Sequence, residues 1–198
     1  MIQELSSKVA KWLEQEGAIS GKDNGLFSYA VYSLLFGLLP IFIVTLLGLA
    51  FGMLREGLLM ITPFMLIRKF SGGYHLNSPR ICVLLSCIYI VFALLGIKVI
   101  YLTGKTDVLS LAVLISVSIL SICSPVDNDA RKLSKKEHAT FGVIVRLFSI
   151  AMLISYLLLR FFAPINYSVS FGVGITLPAL LQVPCVLNKL VDHLMNKS

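Results

Sequence analysis

Long stretches without a charged side chain are the feature that most constrains the fold of this chain. The first of them, residues 25–54, has 30 residues and no Asp, Glu, Lys or Arg. As a helix it would span roughly 45 Å at about 1.5 Å per residue, which is enough to cross a bilayer core of about 30 Å with some tilt. Five further apolar stretches follow it, at 57–67, 81–97, 108–126, 139–161 and 161–188.

The composition indicates the same class of protein. Hydrophobic residues make up 57% of the 198 positions, charged residues 14%, and the mean hydropathy is +0.89. A soluble domain typically has about 45–50% apolar and about 25% charged residues. The sequence therefore predicts an all-α, polytopic membrane bundle of about six transmembrane helices, folded as a single domain over 1–198. We expect the lipid bilayer and no nucleic acid among its partners, and neither a metal nor another cofactor.

Three stretches require a closer interpretation. Residues 57–67 are only 11 uncharged positions, so they form a short span, a re-entrant segment, or a helix that continues into the polar residues after them. Residues 1–24 have apolar side chains at helical spacing and predict an amphipathic helix. That helix lies either in the headgroup plane with Trp12 as an anchor or against the cytosolic surface of the protein. The first part of 161–188, which contains Pro164, is expected to be loop.

The distribution of basic residues predicts the orientation in the membrane. Lys and Arg concentrate in 1–24, 68–80 and 127–138, and cytoplasmic loops of membrane proteins carry an excess of these residues. Six crossings within a membrane bundle at 25–188 put these three segments and a tail at 189–198 on one face. We therefore expect a multi-pass protein of the cell membrane with both termini and residues 68–80 in the cytoplasm.

The polar segment 68–80 and the cysteine that follows it contain the candidate catalytic residues. Ser78 and Pro79 are typical of a helix start, which places Cys82 in about the first turn, where the helix dipole favours a thiolate. His75 is next to an apolar stretch, and a histidine beside a cysteine is the basic equipment of a thiol nucleophile. A cysteine in a membrane helix can instead be a small packing residue, and this interpretation suits Cys87, Cys123 and Cys185.

His75 and Cys82 can act together only if the chain folds back between them. On one continuous helix they would share a face but lie roughly 10 Å apart. A general base must come within about 3 Å of the thiol, directly or through a water. Turn-forming residues in the segment permit such a reversal.

Other residues of the segment have two open interpretations each. Gly72 and Gly73 supply either the bend that returns the chain to the membrane or backbone N–H groups for a developing oxyanion. Arg68 either orients a substrate carboxylate or anchors the segment at the headgroups. Asn77 and Ser78 are near enough in sequence to orient the histidine, as an Asn or Asp does in papain-like enzymes. The third catalytic member stays open.

The sequence RKFSGGYHLNSPRIC at 68–82 resembles the signature of the accessory gene regulator protein B (AgrB) family. The matching features are the basic pair, the Gly-Gly-x-His core and the seven-residue step from histidine to cysteine. The sequence SPVDN at 124–128, followed by a basic loop, is similar to a second segment of that family. The resemblance implies a membrane endopeptidase with Cys82 as nucleophile and His75 as base, and with Arg68 and Gly73 important to activity.

The resemblance also implies a substrate and a reaction. The substrate would be an AgrD-like quorum-sensing pro-peptide with an amphipathic leader, a central signal segment and an acidic C-terminal tail. The thiolate would release the tail and hold the remainder as a thioester, which the peptide's own thiol or hydroxyl would convert to a thiolactone or lactone. The net charge of +7 would attract an acidic tail. The candidates for binding the tail are Arg131, Lys132, Lys135 and Lys136.

Two other classes of protein are alternatives. A membrane peptide transporter or exporter without proteolytic activity would explain six helices and the prolines of 161–188. It predicts ionisable residues along the spans, whereas here they cluster at the ends. A scaffold protein would need no Cys/His pair. A homodimer is an open option for the assembly in each case.

Overall fold

The computed structural model describes residues 2–18, 23–71, 79–125 and 134–195, with the backbone alone at 2–3, 79–80, 82, 135 and 184–195. These ranges contain seven helices and no strand, which confirms the predicted all-helical class. The helices are α1 (Ile2–Gln15), α2 (Asn24–Ala50), α3 (Leu54–Ser71), α4 (Pro79–Thr103), α5 (Thr106–Cys123), α6 (Lys135–Phe162) and α7 (Ile165–Met195).

Four helices in the described ranges are long and apolar enough to cross a membrane. They are α2, α4 over Val83–Thr103, α5, and α6 over Lys136–Phe162. Large apolar side chains along these helices are exposed, including Phe42, Phe92 and Phe162. Exposed apolar surface on this scale is what a lipid environment requires and what a water-soluble monomer avoids. The predicted number of about six crossings and the single-domain organisation stay predictions.

Residues Met1–Ile43 form one of two compact units. Here α1 confirms the helix predicted for the N-terminal segment, and the side-chain amide of Asn24 at the start of α2 donates a hydrogen bond to the carboxylate of Glu14. Leu5 and Trp12 are 51% and 57% exposed, whereas Ala10 is buried. Trp12, the side chain predicted as a membrane anchor, is therefore exposed.

The second unit, Val44–Ser198, is organised around α7, which packs against α3, α4, α5 and α6. Residues 168–175 of α7 are all buried. A Cβ atom on Gly174 would overlap the carbonyl group of Met60, and one on Gly172 would lie 2.7 Å from the ring of Tyr156. Gly174 thus brings the backbones of α7 and α3 into direct contact, as small residues commonly do in membrane helix pairs, and Gly172 makes room for Tyr156 of α6.

Two of the sequence interpretations are decided by the helix boundaries. Residues 57–67 belong to a helix that continues to Ser71, which was the third of the alternatives for this stretch. The loop expected at the start of 161–188 is wrong, since only Ala163 and Pro164 separate α6 from α7. Pro164 directly precedes the first turn of α7, where its missing N–H and fixed φ are compatible with a helix start.

Candidate functional site

The end of α3 is held against the first half of α6 by aromatic side chains. Phe70 stacks on Phe148 with ring centroids 5.7 Å apart and planes 13° apart, and it contacts Phe141 at 6.1 Å. The ammonium group of Lys69 lies 5.6 Å from the centre of the Phe70 ring. The basic pair, Arg68 and Lys69, is therefore part of a helix end whose position is fixed by packing against α6.

A buried amide ties this helix end to two other helices. Gln182 of α7 is fully buried, and its Nε2 donates to the carbonyl oxygen of Ser71 at 3.0 Å and to Oγ of Ser124 at 2.8 Å. Oγ of Ser124 in turn donates to Oε1 of Gln182 at 3.2 Å. Ser71 is the last residue of α3, and Ser124 is the residue that caps the end of α5. One side chain thus joins the ends of α3 and α5 to α7.

The second polar segment, residues 124–138, begins at the same helix ends, where Ser124 and Pro125 lie close to α6. A Cβ atom on Gly142 of α6 would lie 3.6 Å from Cδ of Pro125 and 3.7 Å from the carbonyl oxygen of Ser124. The start of α6 is closed by a capping box, in which Ser134 and Glu137 each accept a hydrogen bond from the other's backbone N–H. The two segments that the sequence singled out therefore adjoin one end of the bundle.

Contacts along the helices show their relative directions. Near the other end of the bundle, the amide of Asn166 donates to Oε1 of Glu56 at 3.1 Å. This contact joins the starts of α7 and α3, whereas Gln182, further along α7, contacts the last residue of α3, so the two helices run parallel. The hydroxyl of Tyr89 in α4 donates to the carbonyl oxygen of Leu177 in α7 at 2.9 Å.

The direction of α4 follows from a further contact. A Cβ atom on Gly57, near the start of α3, would lie 3.7 Å from Leu94 of α4. Tyr89, which precedes Leu94 in α4, instead contacts Leu177, five residues before Gln182 in α7. Helix α4 is therefore antiparallel to α3, and its first residues lie at the end of the bundle where Gln182 joins the helices.

The helix start predicted around the candidate nucleophile is confirmed for the backbone. Helix α4 begins at Pro79, so Cys82 is its fourth residue. The side chain of Cys82 and residues 72–78 lie outside the described residues. The pairing of Cys82 with His75 stays a prediction, as do the roles of Gly72, Gly73, Asn77 and Ser78.

The structure also describes only some of the remaining predicted site residues. We call the contacts of Gln182 with Ser71 and Ser124 the junction, and the end of the bundle where they lie the junction end. Arg68 is in the last turn of α3, at this end. Lys136 is exposed in the first turn of α6, and Lys135 is described by its backbone alone. Arg131 and Lys132 lie outside the described ranges. Their binding of an acidic tail, and the role of Arg68 in activity, stay predictions.

Gln182 is the residue of this site that the sequence did not reveal. It stands alone in a stretch without charged residues, far from both polar segments in the chain. Its one signal was chemical, because an amide within an apolar helix is costly unless all its hydrogen-bonding groups find partners. A search for isolated Asn and Gln in the apolar stretches would have found it.

These features define a multi-pass helical membrane protein whose two polar segments start from helix ends joined by one buried amide. Residues 6–184 match the family model described as Accessory gene regulator B, and the chain belongs to that family, which functions in agr-type quorum-sensing peptide processing. It is 25% identical to AgrB-like protein 2 of Clostridium perfringens (strain 13 / Type A), over 100% of this chain and 99% of the relative.

A second relative covers a smaller part. An AgrB-like protein of Clostridium perfringens (strain SM101 / Type A) is 31% identical over 88 residues, which is 44% of this chain and 41% of the relative. No solved structure matches the chain.

Proposed function

We propose that this protein is a membrane cysteine endopeptidase that removes the acidic C-terminal tail of an AgrD-like pro-peptide and cyclises the signal segment. The observation that carries the proposal is the placement of Cys82 in the first turn of α4, seven residues after His75. Membership of the accessory gene regulator B family supports the same peptide-processing chemistry.

The first turn of a helix suits a cysteine nucleophile for two reasons. The first backbone N–H groups of a helix have no partner within the helix, and the dipole gives this end a partial positive charge. Both features stabilise a thiolate over a thiol, and the thiolate is the form that attacks. The same N–H groups can stabilise the oxyanion that forms when a thiolate adds to a carbonyl carbon.

The reaction proceeds in two acyl transfers. His75 accepts the proton of Cys82, and the sulfur attacks the carbonyl carbon of the peptide bond that precedes the tail. Collapse of the tetrahedral intermediate breaks the C–N bond, His75 returns the proton to the departing amine, and the leader and signal segment stay bound as a thioester. A thiol or hydroxyl of the signal segment then attacks the thioester carbonyl and gives its proton to His75, the C–S bond to Cys82 breaks, and Cys82 leaves as a thiolate while the ring closes.

Exclusion of water decides between cyclisation and hydrolysis of this thioester. A thioester and a thiolactone have similar acyl energies, so ring closure needs no further energy source. Water would discharge either one, and a site at the membrane edge keeps its concentration low. The junction end of the bundle suits this requirement, since Ser71, Ser124 and Gln182 are all buried there.

We further propose that this end faces the cytoplasm and receives the acidic tail. The basic residues of 68–80 and 127–138 adjoin the ends of α3 and α5 and the starts of α4 and α6. Attraction by Arg131, Lys132, Lys135 and Lys136 would orient the tail relative to the nucleophile. Because solvated charges are screened over about 8 Å at physiological ionic strength, this contribution should weaken as salt is added.

The experiment that tests the proposal is cleavage of the pro-peptide by purified protein in lipid vesicles. Cys82→Ala and His75→Ala should each reduce cleavage below detection, and mass spectrometry of the wild type should reveal an adduct equal to the pro-peptide without its tail. Cys87→Ala and Cys123→Ala are matched controls, because both thiols are half-buried within helices, and they should cleave normally. Full cleavage by Cys82→Ala would refute the assignment.

A further inference from the structure

Gln182 has a position and a set of partners that simple packing does not require. It is fully buried in α7, in the helix that contacts four others, and it forms three hydrogen bonds across to the ends of α3 and α5. A methionine of similar size would fill the same space without any polar group to satisfy. An amide there imposes a geometry that an apolar side chain would not.

We propose that Gln182 is a positioning residue of the peptidase, which fixes the point where the histidine-bearing segment leaves α3. This inference rests on the proposed function. Ser71, whose carbonyl oxygen Gln182 holds, precedes His75 by four residues. Gln182 therefore acts through the backbone of α3 and does not itself touch the substrate.

The hydrogen bonds allow only one orientation of the amide. The carbonyl oxygen of Ser71 can only accept, so it must face Nε2 of Gln182. The hydroxyl of Ser124 accepts from Nε2 and donates to Oε1, which leaves each polar atom of the amide with a partner. Rotating the amide by half a turn would bring two acceptors together at Ser71. The Ser71 carbonyl thus sets which way the amide faces, Ser124 completes its hydrogen bonds, and Gln182 holds the end of α3.

The junction also links the two polar segments of the site. Ser71 is adjacent to the segment that contains the histidine, and Ser124 begins the segment that leads to the basic residues before α6. A shift of either helix end would break a hydrogen bond in a buried site, where the loss is not replaced by water. The position of one segment is in this way coupled to the position of the other.

Asn166 provides a matched control within the same pair of helices. Its side-chain amide also connects α7 to α3, but at the opposite end of the bundle and through the carboxylate of Glu56. Asn166→Leu and Gln182→Met each replace an amide by an apolar side chain of similar size. If amides between α7 and α3 only hold the bundle together, the two substitutions should have the same effects.

The test uses the full chain in lipid vesicles with Cys87→Ala, Cys123→Ala and Cys185→Ala, so that Cys82 is the single thiol. For the folded fraction of Gln182→Met, we expect kcat for cleavage to fall about 10- to 100-fold with KM unchanged, the size of loss expected from a displacement of about 1 Å. The pH profile of Cys82 alkylation by a neutral reagent should move to higher pH, towards the profile of His75→Ala. Asn166→Leu should change neither quantity.

The outcomes separate this inference from the proposed function. Cleavage by Cys82→Ala would refute the proposed function itself. An inactive Cys82→Ala together with normal kcat and a normal alkylation profile in Gln182→Met would overturn the positioning role alone. If Gln182→Met does not fold, Ser124→Ala replaces it, because it removes a hydrogen-bonding partner of the amide and leaves Gln182 itself in place. An unchanged alkylation profile in Ser124→Ala would then overturn the inference.

Discussion

The two ends of the helical bundle are held by polar contacts of different kinds. At the junction end, Gln182 bonds to Ser71 and Ser124, all three residues are buried, and none of them is charged. At the opposite end, Arg160 donates to Oγ1 of Thr106 at 3.0 Å and lies 3.6 Å from Asp107, whose side chain is 98% exposed. The amide of Asn166 there bonds to a carboxylate, that of Glu56.

The difference indicates which end is built for precision. A buried neutral network has few geometries that satisfy every donor and acceptor, so it specifies position closely. An exposed ion pair tolerates movement, because water replaces any contact that is lost. The junction end also adjoins both polar segments and the start of α4. The end that we propose for catalysis is thus the one where the helices are most narrowly positioned.

The largest expected effect concerns the side of the membrane that each end faces. We expect the two ends of the bundle to be exposed on opposite faces. Single cysteines at His138 and Lys105, which are both exposed, should be introduced into the chain without its own thiols. Lys105→Cys, at the start of α5, should react with an impermeant reagent in intact cells. His138→Cys should react only in inverted vesicles. Labelling of His138→Cys from outside would reverse the proposed orientation.

The next largest effect should come from the contact between α3 and α7 that joins the two ends. In Gly174→Ala the new methyl group would overlap the carbonyl of Met60, a backbone group that cannot move aside without the helices separating. Overpacking a core typically costs about 1–3 kcal/mol, and a backbone obstacle belongs at the top of that range or beyond it. We expect most of the protein to be lost as aggregate on detergent extraction, measured by size-exclusion chromatography.

Gly96→Ala is the control for this substitution. A Cβ atom on Gly96 of α4 would meet nothing within 4 Å. Alanine is favoured over glycine in a helix interior by up to about 1 kcal/mol, so this variant should be extracted as well as the wild type or better. Equal behaviour of the two variants would show that the close approach of α7 to α3 does not hold the bundle together.

The helical class and the start of α4 followed from the sequence because both depend on local patterns. A long uncharged stretch predicts a helix whatever it packs against, and Ser78-Pro79 predicted the helix start that α4 has at Pro79. The sequence left three alternatives for 57–67, and one of them was the observed continuation of α3 to Ser71. The local pattern could not choose among them, because charged residues such as Arg68 and Lys69 do not by themselves end a helix. The two-residue connection at Ala163 and Pro164 was mistaken for a longer loop because proline was interpreted as a breaker.

The junction could not be predicted in the same way because it depends on contacts between distant residues. Gln182 is 111 positions from Ser71 and 58 from Ser124 along the chain. The sequence showed that Gln182 is polar within an apolar stretch, but its partners depend on how α3, α5 and α7 pack. The close approach of α3 and α7 that brings the partners together depends on Gly174, whose role appears only in the packed bundle.

The smallest effects expected concern single polar contacts at the two ends. Ser124→Ala removes a hydroxyl that both donates to and accepts from the buried amide of Gln182. Hydrogen bonds between membrane helices contribute on average about 0.6 kcal/mol and up to about 1.7 kcal/mol, and the amide loses two at once, so we expect a loss of about 1 kcal/mol. Asp107→Asn should have no measurable effect, because an exposed ion pair is screened by solvent. Thermal unfolding in detergent at low and high salt would measure both, and only the difference between wild type and Ser124→Ala should persist unchanged at high salt. A greater loss from Asp107→Asn than from Ser124→Ala would mean that the charged end, and not the buried amide, holds the helices in place.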